Sequence, residues 1–307
     1  MPGEFDFISW LRSRTPGGPR VLVGPGDDTA VLAPGSRQQL VTVDMLMDGT
    51  DFILKECGAR AAGRKAMAVN LSDIAAMAGG PTAAVVSVAL PRSGGRSLGE
   101  ELYHGLREMA DAFGVPIVGG DTNTWDHPLV ISVTVLGEAT ERGPVLRSGA
   151  KPGDWLLVTG PLGGSIRGKH LNFTPRVREA LAFHEHAELH ALIDISDGLA
   201  ADLNHILEES RCGAVLDTAA IPISPDAIEL SRTSGKSPLQ HAFGDGEDFE
   251  LIAAVAPADG ERLLKHQPIP GLTLVKIGEC IESGLWLAEA GRRTPLAPSG
   301  WVHEMVP

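Results

Sequence analysis

No stretch of this sequence is apolar for long enough to cross a bilayer: a spanning helix needs about 18 or more consecutive apolar residues, and none occurs. The opening residues also lack a basic segment followed by an apolar one, so no secretory leader is read there. Cysteine is scarce. Cys57, Cys212 and Cys280 are far apart and form no CxxC pair, which argues against a disulfide framework and against a zinc site. These absences lead us to expect a soluble protein in a reducing, cytoplasmic setting, with no membrane partner. Basic charge is in deficit as well, with 26 Lys and Arg against 39 Asp and Glu and a formal net charge of −13. Nucleic acid is therefore not expected as a partner, because binding a phosphate backbone needs a basic surface. No tandem repeat or low-complexity segment interrupts the chain.

What is present is globular α/β (α+β) texture. A chain of 307 residues with 43% apolar content is long enough for two ordinary domains or one large α/β unit. Short β-branched runs bounded by Gly, Pro and Asp predict strands over 21–24, 40–44, 84–90, 115–118 and 129–137. Residues 59–78 read as a helix apolar nearly all round, as suits a helix buried against a sheet. Asn70, Ser72 and Asp73 are its polar exceptions, and a buried Asp73 carboxylate needs a cation, a donor network or an exposed cleft. Around residues 138–154 the periodicity gives way to Gly, Pro and charged residues. We place a domain boundary there, giving domains 1–146 and 147–307. In the second, the pattern predicts strands over 155–160, 249–255 and 272–278 and helices over 177–186 and 199–210.

The acidic chain can still bind a phosphorylated ligand, by placing divalent cations between its carboxylates and the ligand's phosphates; magnesium takes oxygen ligands and is commonly shared with a substrate. Carboxylates recur beside glycine or at strand ends: Gly26-Asp27-Asp28, Thr42-Val43-Asp44, Gly119-Gly120-Asp121 and Asp194-Ile195-Ser196-Asp197-Gly198. Open α/β folds bind ligands at such strand ends, and glycines let backbone approach a phosphate. Each cluster alone also reads as a turn, Asp197 as a helix N-cap and Asp73 as a satisfied core acid. Their coincidence points to a metal-and-phosphate enzyme.

Two patterns lead elsewhere. Gly163 to Lys169 matches the GxxxxGK spacing of a P-loop after a predicted strand, but His170 stands where a magnesium-binding Ser or Thr belongs. His184, His186 and His190 form a group in which the last two are four apart, as on a helix face, yet no HExxH context surrounds them and the stretch reads as a solvated polar face.

At the aspartate clusters the sequence resembles the thiamine-monophosphate kinases, in the superfamily that also holds aminoimidazole ribotide synthetase and selenophosphate synthetase. The matching segments are Gly24-Pro25-Gly26-Asp27-Asp28, 41–44, 68–77 (AVNLSDIAAM), Gly119-Gly120-Asp121-Thr122, 147–154 (RSGAKPGD), 194–199 (DISDGL) and Gly246-Glu247-Asp248-Phe249-Glu250-Leu251. The resemblance implies a two-domain fold like that of aminoimidazole ribotide synthetase, a homodimer whose N-terminal sheets pair, and ATP with several Mg2+ ions among aspartates. It also implies direct transfer of the ATP γ-phosphoryl group to thiamine monophosphate, with no covalent protein residue. Carried over by motif, Asp28, Thr42, Asp44, Asp73, Asp121, Asp194 and Asp197 would hold magnesium, while Gly120, Asp121, Arg147 and Ser196 would contact ATP. Arg147 also reads as a structural salt-bridge partner. The resemblance assigns Glu247 and Trp301 to the acceptor, and Trp301 reads equally as core or lid packing.

The chain departs from the family pattern in places. Asp51-Phe52 stands where a substrate-touching histidine precedes phenylalanine, so Asp51 becomes the substrate candidate there. Val43 replaces a hydroxyl residue, and the stretch between Gly160 and Arg176 is shorter than usual. The rival readings are an aminoimidazole ribotide synthetase-like ligase and a non-catalytic nucleotide-sensing protein. No cysteine precedes Cys57, and Met305-Val306-Pro307 ends the sequence without one, which sets the selenophosphate and hydrogenase-maturation relatives aside as expectations.

Overall fold

The computed structural model describes residues 10–11, 13–15, 17–23 and 31–301. Two compact units divide the chain, one of Met1–Ile74 with Gly79–Gly143 and one of Ala75–Ala78 with Pro144–Pro307.

In the first unit, β1 (Val21–Val23) and β2 (Val31–Leu32) form a small antiparallel pair. The main elements are β3 (Gln39–Met47), α1 (Leu54–Ala76), β4 (Gly80–Pro91), α2 (Gly95–Ala112), β5 (Ile117–Trp125) and β6 (Val130–Glu138). The sheet order is β3-β6-β4-β5, with β6 antiparallel to both neighbours and β4 parallel to β5. Parallel neighbours need a crossover, and α2 supplies it. Successive side chains alternate between sheet faces. Leu40, Leu46, Ile131, Val133 and Val135 are buried on the inner face, where Ala62, Ala66, Met67, Leu71 and Ile74 of α1 are also buried. The outer face of β3 is apolar yet exposed, with Val41 at 67%, Val43 at 61% and Met45 at 61%.

The second unit contains β7 (Trp155–Thr159), the short α3 (Lys169–Asn172), α4 (Val177–His186), β8 (Leu189–Asp194), α5 (Leu199–Ser210) and β9 (Gly213–Asp217). Next come α6 (Pro225–Ser234), α7 (Pro238–Gly244), β10 (Leu251–Val255), α8 (Pro257–His266), β11 (Leu274–Ile281), β12 (Leu285–Glu289) and β13 (Arg292–Pro295). Its sheet order is β13-β12-β9-β11-β7-β10-β8, antiparallel except for β12 with β9. β10 lies between β7 and β8 and is buried at every position, which explains its unbroken apolar run. Leu156, Val158, Ile193, Leu203 and Ile206 complete the core around it.

The structure corrects the reading of the histidines. α4 ends at His186, and His190 lies on β8, where its Nδ1 is 2.8 Å from the Asp154 carboxylate, so the two do not share a helix face. His184 is buried rather than solvated. The helix read over 59–78 begins earlier, at Leu54, and passes through a break at Gly58 (φ 78°). We expect Ile252→Ala, which empties a fully buried site on β10, to cost about 2–5 kcal/mol of stability in chemical denaturation. A loss below about 1 kcal/mol would mean that the surrounding core collapses onto the gap.

Candidate functional site

In the first unit, strand alternation puts Thr42 and Asp44 on the inner face of β3, beside α1. The Thr42 hydroxyl donates to the Asp73 carboxylate of α1, joining two of the sequence-predicted residues. Asn70, one turn earlier on α1, is fully buried; its Nδ2 donates to the Ala66 carbonyl at 3.0 Å, and its Oδ1 has no hydrogen-bond partner among the described residues. Asp121 is placed differently. It is exposed on β5, opposite Ser87, and register carries that row through Ser132 to Met45 on the outer face. Asp44 and Asp121 thus lie on opposite edge strands and opposite faces of this sheet. Gly120 has a packing reason: a Cβ there would fall 1.9 Å from the Val86 carbonyl oxygen. Asp51 is turned into its own loop, its Oδ2 accepting from the Met47 amide at 2.7 Å, while buried Lys65 donates to the Asp51 carbonyl at 2.5 Å. Asp28 lies outside the described residues.

In the second unit, Asp194 is buried at the end of β8, and Ser196 and Asp197 are half-buried in the turn before α5. Asp197 does not cap that helix. Gly198 is the cap residue, and Asp202, from the first turn, accepts from the Asp197 and Gly198 amides at 3.0 Å each. A second turn is zipped to the first: the Glu247 amide donates to the Ser196 carbonyl at 2.6 Å, and the Phe249 amide to the Ile195 carbonyl at 2.8 Å. Trp301 is 57% exposed and donates its amide to the Asp197 carbonyl at 3.0 Å. Ser196, Asp197, Glu247 and Trp301 are therefore gathered around one turn. Arg147 is exposed in a segment running beside β8, where the Leu192 amide donates to the Leu146 carbonyl at 3.0 Å.

Glu247 and Phe249 adopt left-handed backbone, φ 53° and 49°. Such geometry costs a non-glycine residue roughly 1–2 kcal/mol and persists only when its surroundings fix it. This strain also explains why β10 starts at Leu251 rather than at 249 as the apolar pattern predicts.

The electrostatics favour a cation here. Asp197, Asp202 and His205 present ligand atoms within 4.8 Å of one another. Burial, then the Asp194 and Asp197 charges, push the Asp202 carboxyl up to about 8. The crowded carboxylates suit a hard divalent ion, as do the oxygen donors of Thr42, Asp44 and Asp73. Sequence reasoning missed Asp202 and His205, although both follow the DISDGL segment on one helix and lie three apart, the spacing of helical neighbours.

The P-loop spacing has another use. The Gly163 amide donates to Asp248 Oδ2 at 2.8 Å and the Gly164 amide to Asp245 Oδ2 at 2.9 Å, both glycines having positive φ (83° and 73°). Lys169 Nζ bonds Glu250 Oε1 at 2.9 Å. The loop grips anions, and they are the protein's own carboxylates.

The family described as AIR synthase related protein, N-terminal domain, matches residues 26–139, and AIR synthase related protein, C-terminal domain, matches 151–285. The chain is thus a two-domain AIR synthase related protein. It is 43% identical to the thiamine-monophosphate kinase of Rhodopirellula baltica over 98% of this chain and 97% of that one, and 35% identical to that of Bacillus subtilis over 90% of each. The crystal structure of thiamine-monophosphate kinase from Stenotrophomonas maltophilia superposes with a TM-score of 0.81 at 32% identity, covering 93% of this chain and 96% of that one. AaThiL complexed with AMPPCP and TMP gives 0.76 at 29%, covering 98% and 97%. This chain belongs to the thiamine-monophosphate kinase family. The hydrogenase maturation protein HypE of Escherichia coli shares the fold, with a TM-score of 0.79 at 20% identity.

Because its folded pKa, about 8, exceeds its ordinary 3.8, Asp202 favours the folded state fully below about pH 4 and loses that contribution as pH rises through about 8. In chelator, Asp202→Asn should flatten the fall in melting temperature between about pH 6 and 8.5. The same slope in variant and wild type would assign the titration to another group.

Proposed function

We propose that this protein transfers the γ-phosphoryl group of ATP to thiamine monophosphate, giving thiamine diphosphate and ADP, with magnesium held by its carboxylates. The observation that carries the reading is the gathering of Ser196, Asp197, Glu247 and Trp301 around one turn, beside Asp202, whose carboxyl is raised by burial and by the Asp194 and Asp197 charges. The AMPPCP and TMP in the AaThiL complex, an ATP analogue and the acceptor, support it.

In the first unit Thr42, Asp44 and Asp73 would hold magnesium and in the second Asp194 and Asp197 would; Asp28 and Asp121 join the set by the family motifs, Asp121 from the other face of its sheet. Held by these residues, magnesium would supply neutralisation of the phosphate charge. Phosphoryl transfer is otherwise a matter of positioning, and the attacking group is the acceptor's own phosphate oxygen, so no protein nucleophile is required. Gly120, Asp121, Arg147 and Ser196 would meet ATP, Arg147 offering a planar fork to phosphate oxygens. Trp301 presents an exposed ring to the acceptor's heteroaromatic system, and the half-buried Glu247 presents a carboxylate. Asp51 retains acceptor capacity beyond its bond to Met47 and can take a donor from an aminopyrimidine.

The same reading makes the protein a homodimer. Val41, Val43, Met45 and Met47 form an exposed apolar row on the outer face of β3, a surface that a second copy of this chain would cover. Asp121 lies on that face. The reading also places the protein in the cytoplasm, where ATP and magnesium are plentiful.

Purified protein given ATP, magnesium and thiamine monophosphate should form thiamine diphosphate on chromatography, with none when magnesium is omitted. Product formation at full rate without any divalent ion would contradict the role given to the carboxylates. Asp44→Asn and Asp73→Asn should each lower turnover by about a hundredfold or more at unchanged melting temperature. Near-normal rates in either variant would remove that residue from the metal set. For the dimer, Val43→Asp combined with Met45→Asp should shift sedimentation from two copies to one. A dimer that survives both charges is held elsewhere.

A further inference from the structure

We propose that Lys169 and Arg176, acting through the buried carboxylate of Glu250, are positioning residues for Glu247, and so set affinity for the acceptor. This rests on the acceptor role given to Glu247 above. Glu247 and Phe249 stand in left-handed backbone, and something has to hold them there. One side is held by the Ile195 and Ser196 carbonyls. The other is held by the segment between Gly160 and Arg176, which the sequence marks as short for the family.

Glu250, 1% exposed, is the anchor. Arg176 grips it with Nε at 2.8 Å and Nη2 at 3.0 Å, Lys169 Nζ reaches it at 2.9 Å, and the Thr159 hydroxyl donates at 2.7 Å. Burial alone would raise the carboxyl pKa, but the bonds from Arg176 and the Lys169 charge hold it below the ordinary value. Asp248 is drawn to the same loop by the Gly163 amide and lies 3.6 Å from Lys169 Nζ. Phe173 stacks on Phe249 with ring centres 3.9 Å apart. Every residue from Asp248 to Glu250 is thus fixed by this segment, and the half-buried Glu247 is joined directly to them in the chain. The glycine-lysine spacing that imitates a P-loop serves as an internal anion clamp. A side chain that packs the core and one that aims Glu247 differ in what they couple to, and a double-mutant cycle separates them.

The test uses the full-length protein and compares Lys169→Met, Glu247→Gln and the double variant. Lys169→Met should raise KM for thiamine monophosphate about tenfold, the scale of one lost charge-assisted hydrogen bond, and leave KM for ATP within about twofold. In the double variant KM should be no higher than in Glu247→Gln alone. Multiplicative effects, or equal rises in both KM values, would overturn the proposal. Arg176→Lys keeps the charge but loses the fork, and should give a smaller rise in the same KM, so a misfolded Lys169 variant does not end the test. Hydrogen exchange at the Glu247 and Phe249 amides, read without substrate, should quicken in both variants; unchanged exchange would also overturn it. A wild-type protein that leaves thiamine monophosphate unphosphorylated would instead refute the proposed function, while the exchange result still decides whether the clamp holds the turn.

Discussion

Much of the structure depends on how carboxylates are kept close together inside an acidic chain. A buried carboxylate is tolerated when it gains a counter-charge, a set of donors or a proton. Glu250 gains Arg176 and Lys169, and its pKa is held low. Asp202 accepts from two backbone amides but sits by the Asp194 and Asp197 carboxylates, and burial with those charges pushes its pKa up to about 8. Asp248, raised by burial to about 6 although Lys169 opposes the shift, lies between them. This ordering separates two kinds of acid. Glu250, given Arg176 and Lys169, ties the scaffold together, whereas Asp202 is crowded by the Asp194 and Asp197 charges at the turn where the proposed cation would sit.

The sheet of the first unit serves two partners with one alternation. Thr42 and Asp44 face α1, and Val41, Val43 and Met45 face outward. A hydroxyl residue at position 43 would have pointed to the outer face, so Val43 adds apolar surface there and takes nothing from the Thr42 and Asp73 pair. Asp51 shows a related economy: its carboxylate closes the turn at Met47 while its backbone carbonyl takes the buried Lys65 ammonium.

Legibility in the sequence followed the range of the interaction. Helices Val177–His186 and Leu199–Ser210 were readable because amphipathic periodicity is local. Asp194 was readable because it ends β8, whereas Asp44, read as the end of a strand, lies inside β3, which continues to Met47. The clamp on Glu250 was not, since Arg176 lies 74 residues away from it and only the fold brings them together. Nor was the capping by Asp202, which required knowing that Gly198 occupies the cap position.

The sequence by itself determined the chemistry on offer: oxygen donors without a cysteine framework, an acidic balance that calls for cations, and motifs that place the chain in its family. Period-two and period-3.6 patterns, being local, also fixed most of the elements that carry those donors. Only the tertiary structure decided which donors meet. It joined Thr42 to Asp73, set Asp121 on the far edge and face from Asp44, and turned a P-loop look-alike inward onto Asp245, Asp248 and Glu250. The physical reason is that strand register and side-chain burial depend on contacts between residues distant in sequence, which no local pattern encodes.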